Sequence, residues 1–270
     1  MEKNILMTIE YDGGAYCGWQ IQPNVPTVQG EVEKALRRTT GREIGINGTS
    51  RTDAGVHAYG QRASFVTDAA IPVKRIPFAV NNALPGDIRI VEAIQVPMDF
   101  HARFSSTGKQ YIYKMKEKVS AFESRYYYEV GEGLDIERMK EAAAYIKGEH
   151  DFKCFQAAGS DIKDSTVRTV FDICVDEVCY GSANGINEMN GDRSRWEMDE
   201  KNHGKGIELV VSGDGFLYNM VRIITGTLVD VGRGKIRPED MEEIIKGKDR
   251  TKAGHTAPPQ GLYLAEVYYE

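Results

Sequence analysis

The chain has 270 residues, 41% hydrophobic and 27% charged, so it is long enough for two domains with real cores and is not disordered by composition. It contains no apolar run of about 18 residues, which excludes a transmembrane helix. The opening MEKNILMTIEYDG passes straight into an alternating pattern, without the basic and apolar regions of a signal peptide.

Cys17, Cys154, Cys174 and Cys179 form no CxxC pair, and no Cys/His cluster has zinc spacing. A reduced cytoplasmic protein without a metal is expected. The formal net charge of −6, from 34 basic and 40 acidic residues, argues weakly against a nucleic-acid partner. Local segments differ from that average. Arg103 to Arg125 holds six basic residues against two acidic, and Arg233 to Lys252 holds seven against five. Screening over about 8 Å makes such patches count for more than the distant total.

Ile5, Met7, Ile9 and Tyr11 alternate as a strand does, and Gly13-Gly14 ends it. Val28, Val32, Ala35 and Leu36 give a helical face that closes near Gly41. A short strand at 43–48, a glycine-bearing loop at 48–60 and a strand at 61–67 follow. Next come a helix at 74–84 and a strand at 87–95. The order β-α-β-β-α-β is the ferredoxin-like arrangement.

The remainder repeats the theme. Tyr111, Tyr113 and Met115 alternate in a strand. Ile136, Met139, Ala143 and Ile146 make a helical stripe, with Asp135 as N-cap and Gly148 past its end. Strands are expected through Val167–Val175 and Ile207–Val211. Phe216, Met220, Ile224, Leu228 and Val231 mark a further helix, and Pro238 through Gly247 another. A last strand, 261–269, ends the second half. Two α+β halves are expected, 1–105 and 106–270. Residues 181–206 carry five glycines and four asparagines and read as a long surface loop.

No GxxxxGK[ST], GxGxxG, HExxH or GxSxG motif occurs, so nucleotide-driven, nicotinamide and serine-hydrolase chemistry have no visible home. The segment GTSRTDAGVHAYGQ, Gly48 to Gln61, is the informative one. Asp-Ala-Gly is ordinary turn chemistry. Here, though, the loop sets the Asp53 carboxylate two residues from Arg51, among small neighbours that let a substrate approach. A carboxylate so placed serves as nucleophile or base if a cation keeps it ionised.

SRTDAGVHA resembles the signature of the tRNA pseudouridine synthase A family. The resemblance continues through YDGGAYCGWQIQPNVPTVQGEVEKAL, NNALPGDIRI, FHARFSSTGKQYIYK, GDGFLYNMVRIITGTLVDVGRGK and TAPPQGLYLAEVYY, in the same order. It implies two ferredoxin-like (RRM-like) halves whose antiparallel sheets form a central cleft. It also implies isomerisation of uridine to pseudouridine at positions 38, 39 and 40 of the tRNA anticodon stem-loop, by a homodimer without a cofactor. On the matching positions, Asp53 is the catalytic aspartate and nucleophile, and Arg222 pairs with it. Tyr111 stacks on the target uracil, and Arg51 lies beside the flipped nucleotide. Whether Asp53 attacks the sugar, attacks the base or removes a sugar proton stays open. From the residues alone, a non-catalytic tRNA-binding module and a nucleoside hydrolase also stay open, the latter disfavoured by the missing metal-binding aspartates.

Overall fold

The computed structural model describes residues 2–159, 165–178 and 206–269. Apart from Gly206, the expected loop at 181–206 lies outside them. The chain divides into two compact units. One comprises Met1–Ile112, Ser212–Gly215 and Leu262–Glu270, and the other Tyr113–Val211 and Phe216–Gly261.

In the first unit, β1 (Lys3–Tyr11) buries Ile5, Met7, Ile9 and Tyr11 on one face, as their alternation dictates. α1 (Val28–Thr40) starts where the Thr27 hydroxyl accepts from the Gly30 amide. It ends at Gly41, whose φ of 73° only glycine adopts without cost. β2 (Asn47–Gly48) is two residues long, shorter than expected. β3 (His57–Thr67) begins earlier than expected, because Ala58 already pairs with Tyr11 of β1. The helix expected at 74–84 is a 3-10 turn, Val73–Arg75, followed by α2 (Ile76–Asn81). It stops there as the Asn81 side chain turns to pair with both backbone groups of Ile90 in β4 (Ile88–Val96). β4 and β3 flank β1, both antiparallel, and β2 pairs with β3.

β5 (Ser106–Lys116) passes from the first unit into the second. There, β6 (Tyr128–Glu129) pairs in parallel with its end. α3 (Ile136–Ala144) is capped by the Asp135 carboxylate on the Arg138 amide and buries Ile136, Met139, Ala142 and Ala143. β7 (Gly148–Asp151), absent from the sequence reading, pairs antiparallel with β8 (Val167–Val178), and β8 neighbours β9 (Gly206–Gly213). α4 (Met220–Gly232) is buried nearly all round. It starts later than the apolar stripe from Phe216 suggests, because Asn219 takes φ 60°, outside the helical region. α5 (Asp240–Gly247) follows.

The last strand, β10 (Leu262–Tyr269), corrects the sequence reading, which assigns it to the second half. It belongs to the first unit and runs parallel to β3, with Tyr263 opposite His57 and Leu264 opposite Ala58. β2 covers that edge of β3 only at Ala63 and Ser64, so the backbone groups near His57 take β10. The protein is thus mixed α/β with mostly antiparallel strands. Among the described residues, no helix is long and apolar enough to cross a membrane.

Candidate active site

The loop between β2 and β3 is built by the residues on either side of it. The Thr49 amide donates to the Arg62 carbonyl at 2.9 Å. Gln61, 0% exposed, clamps Ser50 from both sides. Its Oε1 accepts from the Ser50 amide at 3.2 Å, and its Nε2 donates to the Ser50 carbonyl at 2.7 Å. A buried amide with both ends satisfied specifies a loop position better than an apolar contact of the same size. Further on, the Thr52 and Tyr11 hydroxyls share a hydrogen bond of 2.7 Å. The Thr52 carbonyl accepts from the Trp19 amide at 3.1 Å, and the Val56 amide closes the turn on the Asp53 carbonyl at 3.2 Å. Gly18 makes the approach to Trp19 possible. At its φ of 91°, a Cβ would stand 2.6 Å from the Thr52 carbonyl oxygen.

With Ser50 and Thr52 turned inward, Arg51 is exposed and Asp53 is half-buried. The loop therefore presents two opposite charges from a fixed backbone.

Tyr111, on β5, lies in the same unit and is 8% exposed. Burial pushes its phenol up to about 12, the Ser50 hydroxyl opposes the rise, and the nearby Asp53 carboxylate adds to it. Three of the four candidate residues, Arg51, Asp53 and Tyr111, thus sit in one unit, with Asp53 and Tyr111 close enough to feel each other's charge.

Arg222 lies in the second unit, in the first turn of α4. Its Nε donates to the Ala257 carbonyl at 2.8 Å and its Nη1 to Asn219 Oδ1 at 2.7 Å. The unusual φ of Asn219 brings that side chain back over the helix start. These bonds orient the guanidinium plane, which suits two-point recognition of a carboxylate.

Sequence reasoning missed Tyr11, Trp19, Thr52 and Gln61 as the residues that hold this loop. Trp19 and Gln61 stand within the motifs already singled out, CGWQ and AYGQ, but periodicity cannot say which backbone group a side chain meets. Among the described residues, no group of three or more His, Cys, Asp or Glu side chains is arranged to hold a metal ion.

The loop sets a half-buried carboxylate beside a buried phenol. Comparison with known proteins gives the family. The family model for tRNA pseudouridine synthase matches residues 7–105 and 142–270. The tRNA pseudouridine synthase A of Ruminiclostridium cellulolyticum is 46% identical over 269 residues, covering 99% of this chain and 100% of that protein. That of Caldicellulosiruptor bescii is 43% identical over 271 residues, with coverage of 99% and 100%. The tRNA pseudouridine synthase A 2 of Clostridium perfringens is 45% identical over 269 residues, with the same coverage. The chain belongs to the tRNA pseudouridine synthase family.

Proposed function

We propose that this protein is an isomerase that converts uridine to pseudouridine in tRNA, at positions 38, 39 and 40 of the anticodon stem-loop. It does so as a homodimer in the cytoplasm, without a cofactor. The N1–C1′ bond breaks, the uracil turns, and C5 bonds to C1′. C5 loses its proton and N1 gains one, so the reaction balances with no redox partner and no phosphoryl donor.

The target nucleotide must leave its stack, which costs a few kcal/mol. Stacking on Tyr111 offsets ~1–3 kcal/mol of this. Arg51, exposed on the loop, fills the vacated space or holds a phosphate. Asp53 works as the carboxylate, and Arg222 pairs with it, since a guanidinium stays charged and meets both oxygens. The ferredoxin-like description draws support, for the first half, from the strand order β4-β1-β3 with β2 on β3 and from the two helices that follow β1 and β3. Basic segments at 103–125 and 233–252 suit contacts to phosphates.

The observation that carries the proposal is the clamped loop that presents Asp53 beside Tyr111. The test is tritium release from tRNA labelled at uridine C5, since forming the new bond expels that hydrogen. Wild-type protein alone releases tritium and Asp53→Ala does not, while retaining tRNA affinity. A fully active Asp53→Ala variant, or an inactive wild type, overturns the proposal.

A further inference from the structure

Between β4 and β5, Phe104 is 77% exposed. A single exposed apolar side chain is common. The turn that carries this one is not. His101 and Ser105 bond reciprocally, with the Ser105 amide on the His101 carbonyl at 2.9 Å and the His101 amide on Ser105 Oγ at 3.1 Å. His101 Nδ1 also accepts from the Arg103 amide at 3.1 Å and from the Phe104 amide at 3.4 Å.

Ala102, fully buried, anchors the turn. Its amide donates to Ser64 Oγ at 3.0 Å, and its carbonyl accepts from Thr49 Oγ1 at 2.9 Å and from the Tyr269 hydroxyl at 2.8 Å. Thr49 begins the loop that carries Arg51 and Asp53. The exposed ring is therefore tied, through the Ala102–Thr49 hydrogen bond, to the candidate active-site loop of the same unit.

Two side chains complete the surface. The His101 ring stands 4.4 Å from the Phe104 ring, and the Arg103 guanidinium lies 5.8 Å from its centre. Aromatic rings and a guanidinium on a rigid backbone are the groups that hold splayed nucleic-acid bases. Arg103 also opens the segment with six basic residues against two acidic.

We propose that His101, Arg103 and Phe104 form a stacking platform for a base of the substrate RNA other than the target uridine, with Arg103 on the adjoining phosphate. The inference rests on the tRNA reading above and deepens it by naming a second contact.

The test measures KM in the tritium-release assay and, separately, tRNA affinity by filter binding, each over a range of salt. Phe104→Ala and Phe104→Leu raise KM and Kd roughly ten-fold or more, and Phe104→Trp restores them. Arg103→Gln lowers the slope of log Kd against log salt by about 0.7–0.9, the share of one phosphate contact, whereas Phe104→Ala leaves that slope as it was. Wild-type affinity in Phe104→Ala overturns the platform. So does full rescue by leucine, which indicates a plain apolar contact such as a protein surface. Absence of pseudouridine from wild type, with Phe104→Ala still weakening tRNA binding, removes the proposed reaction and leaves the platform standing.

Discussion

Gln61 and Ser50 are bonded twice, amide to backbone, at 3.2 Å and 2.7 Å, with the Gln61 side chain wholly buried. One strand residue thereby fixes the loop that carries Arg51 and Asp53, two and four positions along from the neighbouring Thr49. Gln61→Ala orphans a buried N–H and a buried C=O, each at about 1–3 kcal/mol. Urea denaturation is expected to show that loss, and tritium release to fall with it. An unchanged midpoint and rate would show the clamp to be dispensable.

Gly18 and Gly41 both take left-handed backbone, with φ of 91° and 73°, yet only Gly18 faces the loop. A Cβ at Gly41 meets nothing within 4 Å, so Gly41→Ala costs roughly 1–2 kcal/mol of backbone strain and leaves turnover intact. At Gly18 the same substitution also drives a methyl into the Thr52 carbonyl, 2.6 Å away. It should destabilise more and slow turnover by displacing Asp53. Equal effects from the two variants on turnover would remove Gly18 from the support of the site.

Alkaline pH should weaken the fold. Burial holds the Tyr111 phenol up to about 12 and raises Tyr11 and Tyr113 as well, against an ordinary value of 10.0. Above pH 10 the unfolded chain loses these protons while the folded chain keeps them, so unfolding becomes easier as pH rises. Stability is fully present below pH 10 and falls by at most about 1.4 kcal/mol per pH unit for each such tyrosine. Unfolding free energies between about pH 8 and pH 11, read with tyrosinate absorbance, check the sign. Stability that is flat or rising over that range contradicts it.

Arg222→Lys keeps a positive charge and loses the planar fork held by Ala257 and Asn219. Turnover is expected to drop at least ten-fold or so, with a stability cost of about 1 kcal/mol from the lost hydrogen bonds. A lysine variant with wild-type turnover would reduce Arg222 to a bulk positive charge.

Much of this was written in local pattern. Ile5, Met7, Ile9 and Tyr11 alternate because one face of β1 is core, and Asp135 marks α3 because its carboxylate meets the Arg138 amide. Asp53 and Arg51 stand out through the motif around them. The neighbours of that motif do not, since register decides that Gln61 meets Ser50 and Tyr11 meets Thr52, and a period of two carries no register. The same limit hides the partner of β10, because alternation announces a strand and leaves its neighbour unnamed. His57–Gly60 reads as loop because its pairing partners, Tyr11 of β1 and Tyr263 and Leu264 of β10, are distant in sequence.

That distance has a consequence during translation. β10 supplies Tyr263, stacked between the rings of His57 and Tyr59, and Tyr269, bonded to Thr49 and Ala102. Domains usually mature from the N-terminus as the chain emerges. Here the unit that opens at Lys3 lacks these contacts until Leu262–Tyr269 has left the ribosome, so a nascent polypeptide already holds Ser50 and Thr52 through Gln61, Tyr11 and Trp19 but gains the Tyr269 bond to Thr49 last.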